Sequence, residues 1–391
     1  MKSPIYINPT ANRHGTFLVN NPRLPSLIQA QLPLLLKHAL GESNDNMERQ
    51  GILQSLEESV QDRLSENILE DGPNEAFRLT QQEIHWMERH PKAKWLDYLC
   101  YRYKFKTYPR LKKLETFPLH LLIEPTSVCN LRCVMCFQVD LSFTRDEFMG
   151  FMPWKLFTDV VDQARDHGCA AITMASRGEP TLHKQFGEML RYCADAGIMD
   201  IKINTNATML TEKLCHDVLA AEVSEVVFSV DGGTKDTYEQ IRVGGQFERV
   251  VENVERFNRI RSEQYPLSPT VTRISGVQVN EHQDIDQIAR FWSQLVDQVT
   301  VKRATPRWDS YHNKPIEIQH ACSPLWERMY VWFDGKANPC DFDYKSQLCV
   351  GDATTTLLSE IWLGNAYQRL REQHLERMRQ HIVPCDRCPV Y

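Results

Sequence analysis

The chain has 391 residues, a formal net charge of -6, and 42% hydrophobic and 25% charged residues. This composition is ordinary for a globular protein and excludes a disordered or fibrous chain. The modest negative charge offers no basic stripe of the kind that nucleic-acid binding requires, so we expect no nucleic-acid partner.

The N-terminal part of the chain predicts neither export nor membrane insertion. No apolar segment of signal-peptide length follows Lys2, and the apolar run at 32–40 is interrupted by Pro33, Lys37 and His38. That run is also too short to span a bilayer. We therefore expect a soluble, cytoplasmic protein with no membrane partner.

Residues 1–115 are predicted to be mainly helical, with amphipathic patterns over 26–38, 46–68 and 80–104. Thr80 is a candidate N-cap, and Glu83 three residues later completes a capping box. Pro91 must break or kink the last of these helices. No ligand site is indicated in this region.

Residues 116–310 alternate between short apolar strands and helical segments, which is typical of parallel βαβ units. Six such units with right-handed crossovers curl into an incomplete barrel, and chemistry in such barrels gathers at the carboxyl ends of the strands. The predicted strands are 119–124, 171–175, 199–204, 226–230, 271–279 and 298–302. The predicted helices are 154–167, 184–196, 212–220, 246–261 and 284–295.

Twelve cysteines in a reducing compartment point to metal binding or catalysis rather than to disulfides. Seven of them fall into two groups, and the others are expected to be small buried side chains. The first group is 129, 133 and 136, the second is 322, 340, 385 and 388, and the remainder are 100, 169, 193, 215 and 349.

The first group follows the first predicted strand, within the segment 124–138. Three thiolates on one loop can bind three irons of a cubane and leave the fourth iron free for a small chelating molecule. A structural zinc site would usually be closed by a fourth ligand, and the next histidine is His167. Zinc and chance burial remain alternatives at this point.

The Cys-x3-Cys-x2-Cys motif after a first strand, followed by βα units, resembles the radical S-adenosylmethionine (SAM) superfamily over about residues 118–303. The resemblance implies that Cys129, Cys133 and Cys136 hold a [4Fe–4S] cluster that binds SAM. It also implies a fold of the α/β class, in which a radical SAM partial (β/α)6 barrel at 116–310 follows the helical region along the chain.

Segments after the later strands resemble the SAM-binding segments of that family. Segment 176–180 is similar to its Gly-Gly-Glu-Pro segment, with Arg177 in place of the first Gly. Met135 stands where the family usually has an aromatic residue, so the adenine would pack on a thioether. The SAM contacts implied by the resemblance are Met135, Gly178, Glu179, Asn206, Ser229 and Arg242.

Residues 311–391 change pattern again. A strand, a turn at Asp334-Gly335 and a return strand predict a hairpin over 329–340, and a helix is predicted at 358–379. The four cysteines of the second group can fill every position of one metal centre, either as a zinc ribbon or as an iron–sulfur site.

The second group has the pattern Cys-x12-Gly-x4-Cys followed by Cys-x2-Cys, which resembles the SPASM and twitch extensions of radical SAM proteins. The resemblance implies a small SPASM/twitch-like domain with one auxiliary [4Fe–4S] cluster, held by Cys322, Cys340, Cys385 and Cys388. Because the sequence ends at Tyr391, we expect no second auxiliary cluster. Cys349 is a spare candidate that we expect to be buried.

The resemblance implies a radical SAM oxidoreductase that cleaves SAM reductively and uses the 5′-deoxyadenosyl radical to abstract hydrogen from a substrate. We expect oxidation of a sugar, an aminocyclitol or a related small molecule. Modification of a peptide or protein is one alternative, and a non-enzymatic zinc-binding scaffold is the other. A flavodoxin or ferredoxin electron donor is implied.

No catalytic base can be named from the sequence. The acids Asp309, Glu327 and Asp341 are the candidates, and each is expected to be a solvated surface side chain.

Overall fold

The computed structural model describes residues 25–42, 46–64, 77, 79–304 and 309–389. The chain divides into two compact units, one of residues Val19–Leu114 and one that includes Glu115–Tyr391. Among the described helices, none is long and apolar enough to cross a bilayer. The predicted segments at residues 1–24 and 65–68 lie outside the described residues, and the domain boundaries at 115 and 310 stay predictions.

The described secondary-structure elements of the first unit are all helices, in agreement with the predicted helical region. Its core includes the fully buried Leu32 and Leu36 of the first helix and Leu53 and Leu56 of the second. The Trp86 ring stacks on that of Tyr98 with 3.8 Å between centroids, which agrees with a packing role. The helices are α1 (Ser26–Gly41), α2 (Met47–Leu64), α3 (Gln81–Arg89) and α4 (Trp95–Leu111).

A buried carboxylate joins α3 to α4. Glu83 completes the predicted capping box with Thr80, whose backbone N–H donates to Glu83 Oε2 at 2.8 Å. Its other oxygen pairs with Arg102 Nε at 2.8 Å and Lys106 Nζ at 2.7 Å. Burial alone would raise the pKa of Glu83, but the charges of Lys106 and Arg102 lower it to about 2.

Replacing Glu83 by Gln should lower the free energy of unfolding by about 3 kcal/mol, because two cations then lack a counter-charge. In the wild type this contribution is present above pH 4.5 and is lost as the pH falls towards 2. Urea unfolding followed by tryptophan fluorescence measures both effects. The exposed Glu88→Gln variant on the same helix is the control, and equal losses in the two variants would contradict the assignment.

The second unit is built on a nine-stranded sheet in the order β6-β5-β4-β3-β2-β1-β7-β8-β9. The first seven strands in this order are parallel, and the six predicted βα strands all form. The partial barrel is therefore confirmed. The strands are β1 (His120–Ile123), β2 (Ala171–Met174), β3 (Asp200–Thr205), β4 (Glu225–Ser229), β5 (Val271–Gln278), β6 (Gln298–Arg303), β7 (Arg328–Val331), β8 (Lys336–Asn338) and β9 (Gly351–Asp352).

Helices cover the outer face of this sheet. Phe228 of β4 packs edge-on against Phe257 with 5.9 Å between ring centroids, and Ile203 and Ile274 are fully buried on the same face. Thr211 caps one helix by accepting a bond from Leu214 N at 3.2 Å. These helices are α5 (Trp154–Asp166), α6 (Phe186–Asp195), α7 (Glu212–Ala220), α8 (Lys235–Ile241), α9 (Phe247–Gln264) and α10 (Ile285–Trp292).

The C-terminal region departs from the prediction in two ways. The predicted hairpin forms as β7 and β8, but β7 also pairs in parallel with β1, so the hairpin extends the barrel sheet. The single helix predicted at 358–379 is wrong: α11 (Leu358–Leu363) and α12 (Asn365–Leu375) are separated at Gly364, whose ψ of 162° is extended. The apolar periodicity continues across this break, and one glycine was too weak a signal to predict it.

Candidate functional site

The three cysteines of the first group lie on the loop that follows β1. Cys133 is buried, and Cys129 and Cys136 are half-buried. The loop is held by its own turn, in which Cys136 N donates to Cys133 O at 2.9 Å. It is also held by the α8 end of the barrel, because Arg132 N donates to Val243 O at 2.9 Å.

The thiols of this loop lie close enough to influence one another. Burial, together with the nearby Glu179 carboxylate and the other two thiols, raises the pKa of Cys129 to about 12. Burial also raises the pKa of Cys133, against the charge of Arg242. Metal binding must therefore displace the thiol protons here.

The donor set of the first group is three thiols on one loop. Three thiolates can each bind a different iron of a cubane, which leaves the fourth iron open. Among the described residues, no group of three or more His, Cys, Asp or Glu side chains is arranged to hold a single metal ion.

Gly178 brings the loop after β2 against the cysteine loop. A Cβ at this position would lie 2.3 Å from Thr126 O and 2.5 Å from Val128 O, so only glycine fits. The next residue, Glu179, donates its N–H to Val128 O at 2.9 Å. The two loops are therefore joined directly before Cys129.

Glu179 is buried beside that junction. Its carboxylate accepts bonds from Asn206 N at 2.6 Å and from the hydroxyls of Thr205 at 2.7 Å and Thr181 at 2.6 Å. Burial raises the pKa of Glu179 above its ordinary value, although these donors act to lower it. The carboxylate is thus held next to the Cys129 thiol by the ends of β2 and β3.

Asn206 positions the residue after the first cysteine. Its Nδ2 donates to Asn130 Oδ1 at 2.9 Å, and Asn130 Nδ2 donates to Thr208 Oγ1 at 2.8 Å. Thr208 N returns a bond to Asn206 Oδ1 at 3.0 Å. The sequence analysis assigned no role to Asn130 or Thr208, although Asn130 lies within the segment 124–138 and Thr208 is two residues beyond Asn206.

Arg242, which follows α8, also reaches the cysteine loop. Its Nε pairs with Asp231 Oδ2 at 2.5 Å, and its Nη1 donates to Cys133 Sγ at 3.7 Å. Asp231 is fully buried and also accepts Val277 N at 2.7 Å. Ser229, at the end of β4, and Met135, inside the cysteine loop, are both half-buried.

The four cysteines of the second group also converge. Burial raises the pKa of Cys340 well above its ordinary value, and the three other cysteines raise it further. The buried Arg379 ties their loops together by donating to Cys385 O at 3.1 Å and Cys388 O at 2.8 Å. Cys322 N donates to His374 Nδ1 at 3.2 Å. The sequence analysis missed Arg379 and His374, because helix patterning gave no reason to single them out.

Two expectations about this region are wrong. Cys349 is exposed rather than buried, because it lies in the connection between β8 and β9 and not within a packed element. Glu327 is buried and pairs with Arg328, whereas we expected a solvated acid.

Arg177, which replaces the first Gly of the family segment, is buried and doubly paired. Its Nε and Nη2 donate to the two oxygens of the fully buried Glu124, each at 2.6 Å. Its Nη1 donates to Tyr344 O at 2.9 Å, and its guanidinium lies 4.3 Å from the centroid of the Trp332 ring. Arg177 thereby connects the ends of β1 and β2 to the C-terminal region.

Replacing Arg177 by Lys should lower the free energy of unfolding by about 2 kcal/mol, since the charge stays but the paired hydrogen bonds to Glu124 are lost. Amide exchange around residues 342–348 should accelerate, because Tyr344 O loses its donor. The exposed Arg191→Lys variant is the control. Unchanged exchange at 342–348 in the Arg177 variant would show that the contact does not hold this segment.

Comparisons with known proteins agree with this arrangement. Residues 123–291 match the family model described as the radical SAM superfamily, and residues 322–389 match the SPASM model, described as an iron–sulfur cluster-binding domain. These matches confirm [4Fe–4S] clusters and SAM as cofactors.

Two curated relatives cover part of the chain. The tungsten-containing aldehyde ferredoxin oxidoreductase cofactor-modifying protein of Pyrococcus furiosus is 29% identical over 57% of this chain. Mycofactocin maturase MftC of Mycolicibacterium smegmatis is 28% identical over 56% of it. The chain spans 66% and 53% of the lengths of these relatives.

One solved structure shows the same fold. Streptococcus suis SuiB bound to the precursor peptide SuiA matches with a TM-score of 0.53 and 18% sequence identity. The match covers 82% of this chain and 80% of that one.

Proposed function

Because the chain belongs to the radical SAM superfamily and carries a SPASM-type iron–sulfur domain, we propose that Cys129, Cys133 and Cys136 hold the SAM-binding [4Fe–4S] cluster. The observation that carries this proposal is the convergence of three loops, after β1, β2 and β3, on these thiols. Parallel α/β barrels place their chemistry at this edge.

Around that cluster, Gly178, Glu179, Asn206, Ser229 and Arg242 would orient SAM, and Met135 would pack on its adenine. When bound, the reduced cluster supplies the electron that cleaves SAM, and an auxiliary cluster can accept an electron from the substrate. Arg242 donates to Cys133 Sγ while Asp231 offsets its charge.

We propose that Cys322, Cys340, Cys385 and Cys388 hold one auxiliary [4Fe–4S] cluster. All four positions of that centre would then be filled by thiolates, which suits electron transfer rather than substrate binding. The buried guanidinium of Arg379 fixes the backbone of the last two cysteines. The first electron would come from a flavodoxin or ferredoxin.

With a closed auxiliary centre as electron acceptor, the net reaction would be an oxidation. The 5′-deoxyadenosyl radical would take a hydrogen atom from a substrate carbon and become 5′-deoxyadenosine. The substrate radical would then lose one electron to the auxiliary cluster and a proton to solvent or a base. A sugar, an aminocyclitol or a related small molecule is the proposed substrate. The described residues of the unit Val19–Leu114 are helical and include no strand, so they lack the strand-rich pattern that we expect of a peptide-recognition domain.

Peptide modification is the second candidate. It is favoured by the likeness to a mycofactocin maturase and to SuiB, which was solved with a precursor peptide. The two candidates differ in the kind of molecule that should bind the enzyme and stimulate SAM cleavage. A peptide that binds reduced enzyme with SAM and increases formation of 5′-deoxyadenosine would support the second candidate over the first.

Reconstituted enzyme should contain about eight irons, which are the contents of two cubanes. Cys133→Ala and Cys385→Ala should each retain about four, and only Cys385→Ala should keep the electron paramagnetic resonance signal that SAM perturbs. Reduced Cys133→Ala should form no 5′-deoxyadenosine from SAM. Metal analysis, the resonance spectrum and product chromatography measure these effects.

The fully buried Cys193→Ala is the matched control and should retain both clusters. If the wild-type protein is colourless and contains zinc, the radical SAM assignment is rejected and a non-enzymatic zinc-binding scaffold is supported. Formation of 5′-deoxyadenosine by Cys133→Ala would contradict the ligand assignment.

A further inference from the structure

The cysteine loop has an outer face that the proposed cluster does not use. Exposure alternates along this loop: Arg132 and Val134 are exposed, whereas Cys133 between them is buried. Two backbone hydrogen bonds join the loop to the segment after α8. Arg132 N donates to Val243 O at 2.9 Å. Val134 N donates to Ile241 O at 3.0 Å, so the two segments lie side by side at the surface.

The segment after α8 divides its side chains in the same way. Arg242 donates to Cys133 Sγ on the inner side, whereas its neighbour Val243 is 46% exposed. Val134 is 41% exposed. The side chains of Arg132, Val134 and Val243 therefore face solvent on the side opposite to the Cys133 thiol. These three residues are called the outer patch below.

The outer patch carries a positive charge on an acidic protein. The chain has a formal net charge of -6. The exposed Arg132 guanidinium donates to the carbonyl oxygens of Cys129 and Leu131, each at 2.8 Å, and forms no ion pair with a described residue. An acidic partner is therefore repelled by the protein as a whole and attracted at this point.

Two acids that lie near the patch along the chain are engaged elsewhere. Glu248 pairs with Lys235 Nζ at 3.1 Å. Glu239 Oε1 accepts a hydrogen bond from Phe247 N at 3.1 Å. Neither carboxylate pairs with Arg132, so the guanidinium keeps its charge available to a partner.

We propose that the outer patch is the docking surface for a flavodoxin that delivers the electron to the SAM-binding cluster. Flavodoxins are acidic proteins, and their flavin exposes an apolar dimethylbenzene edge. The two valines of the patch match that edge, and Arg132 matches the acidic surface around it. This inference rests on the proposed function, which requires an electron from outside, and it adds the place at which the electron enters.

The transfer at this surface moves one electron and no proton. The anionic flavin hydroquinone becomes the neutral semiquinone, and the oxidised cluster accepts the electron without forming or breaking a bond. Electron tunnelling weakens steeply with distance. Docking at the outer patch keeps that distance short, because Arg132 and Val134 are the chain neighbours of Cys133.

Opposite charges at Val243 test this inference without altering the cysteine loop itself. At low salt, reduction of the cluster by flavodoxin hydroquinone should be about tenfold slower in Val243→Glu and no slower in Val243→Lys, because the charge acts on docking. Arg132→Gln should slow it about threefold. These differences should shrink at about 0.5 M salt. Stopped-flow absorbance of the reconstituted enzyme measures the rates.

A small neutral reductant separates docking from damage to the cluster. Photoreduced 5-deazariboflavin needs no docking surface, so it should reduce all variants at the wild-type rate. Binding gives a readout that does not depend on activity: oxidised flavodoxin should bind Val243→Glu about tenfold more weakly than wild type in calorimetric titration. Leu267→Glu is the matched control, since Leu267 is 94% exposed in the connection between α9 and β5.

Identical behaviour of Val243→Glu and Val243→Lys, or of Val243→Glu and Leu267→Glu, would overturn the inference. So would equal slowing with both reductants. Self-association that Val243→Glu abolishes, without any binding of flavodoxin, would assign the patch to a second copy of the chain instead.

Formation of 5′-deoxyadenosine by wild-type enzyme reduced with deazariboflavin separates the two proposals. If SAM is cleaved but the Val243 variants do not differ with flavodoxin, only the docking surface is wrong. If SAM is not cleaved, the proposed function itself fails.

Discussion

The Glu124–Arg177 ion pair is the constraint on which the barrel edge depends. Both side chains are buried, and neither charge would be tolerated there without the other, because removing one partner of a buried pair costs about 3–5 kcal/mol. The pair fixes the residues that follow β1 and β2. The three cysteines proposed as ligands of the first cluster lie on the loop after β1. Through Tyr344 and Phe333 it also reaches the C-terminal region, since Phe333 N donates to Glu124 Oε1 at 3.3 Å. The geometry of the two cysteine groups is thus set partly by one buried contact.

At Cys133, a guanidinium and a carboxylate form a compensated pair. Arg242 brings a guanidinium to Cys133, and Asp231 balances it at 2.5 Å. Glu179 is held by hydrogen-bond donors rather than by a cation. Compensation of the Arg242 charge near the Cys133 sulfur favours a low reduction potential, which is what reductive cleavage of a sulfonium demands.

The strands of the barrel could be predicted because strands buried on both faces have near-continuous apolar sequences, and the cysteine spacings are local. Long-range pairing could not be predicted in the same way. Nothing in the sequence of β7 indicates that it lies beside β1, which precedes it by about 200 residues. The role of Arg177 was equally hidden, since its partner Glu124 lies 53 residues away. Gly364 is the opposite case, because the break between α11 and α12 is local in sequence. The apolar periodicity continues across it, so the sequence pattern did not reveal the break.

The parallel pairing of β7 with β1 has a consequence for folding. Until β7 docks, β1 is the open edge of a six-stranded sheet, with unpaired N–H and C=O groups beside apolar side chains such as Leu121 and Ile123. Open edges of this kind recruit strands from other chains. Assembly of the barrel alone would therefore give a species prone to intermolecular strand addition. The first strand of the C-terminal region occupies the position that a foreign strand would take, and it thereby protects this edge of the barrel.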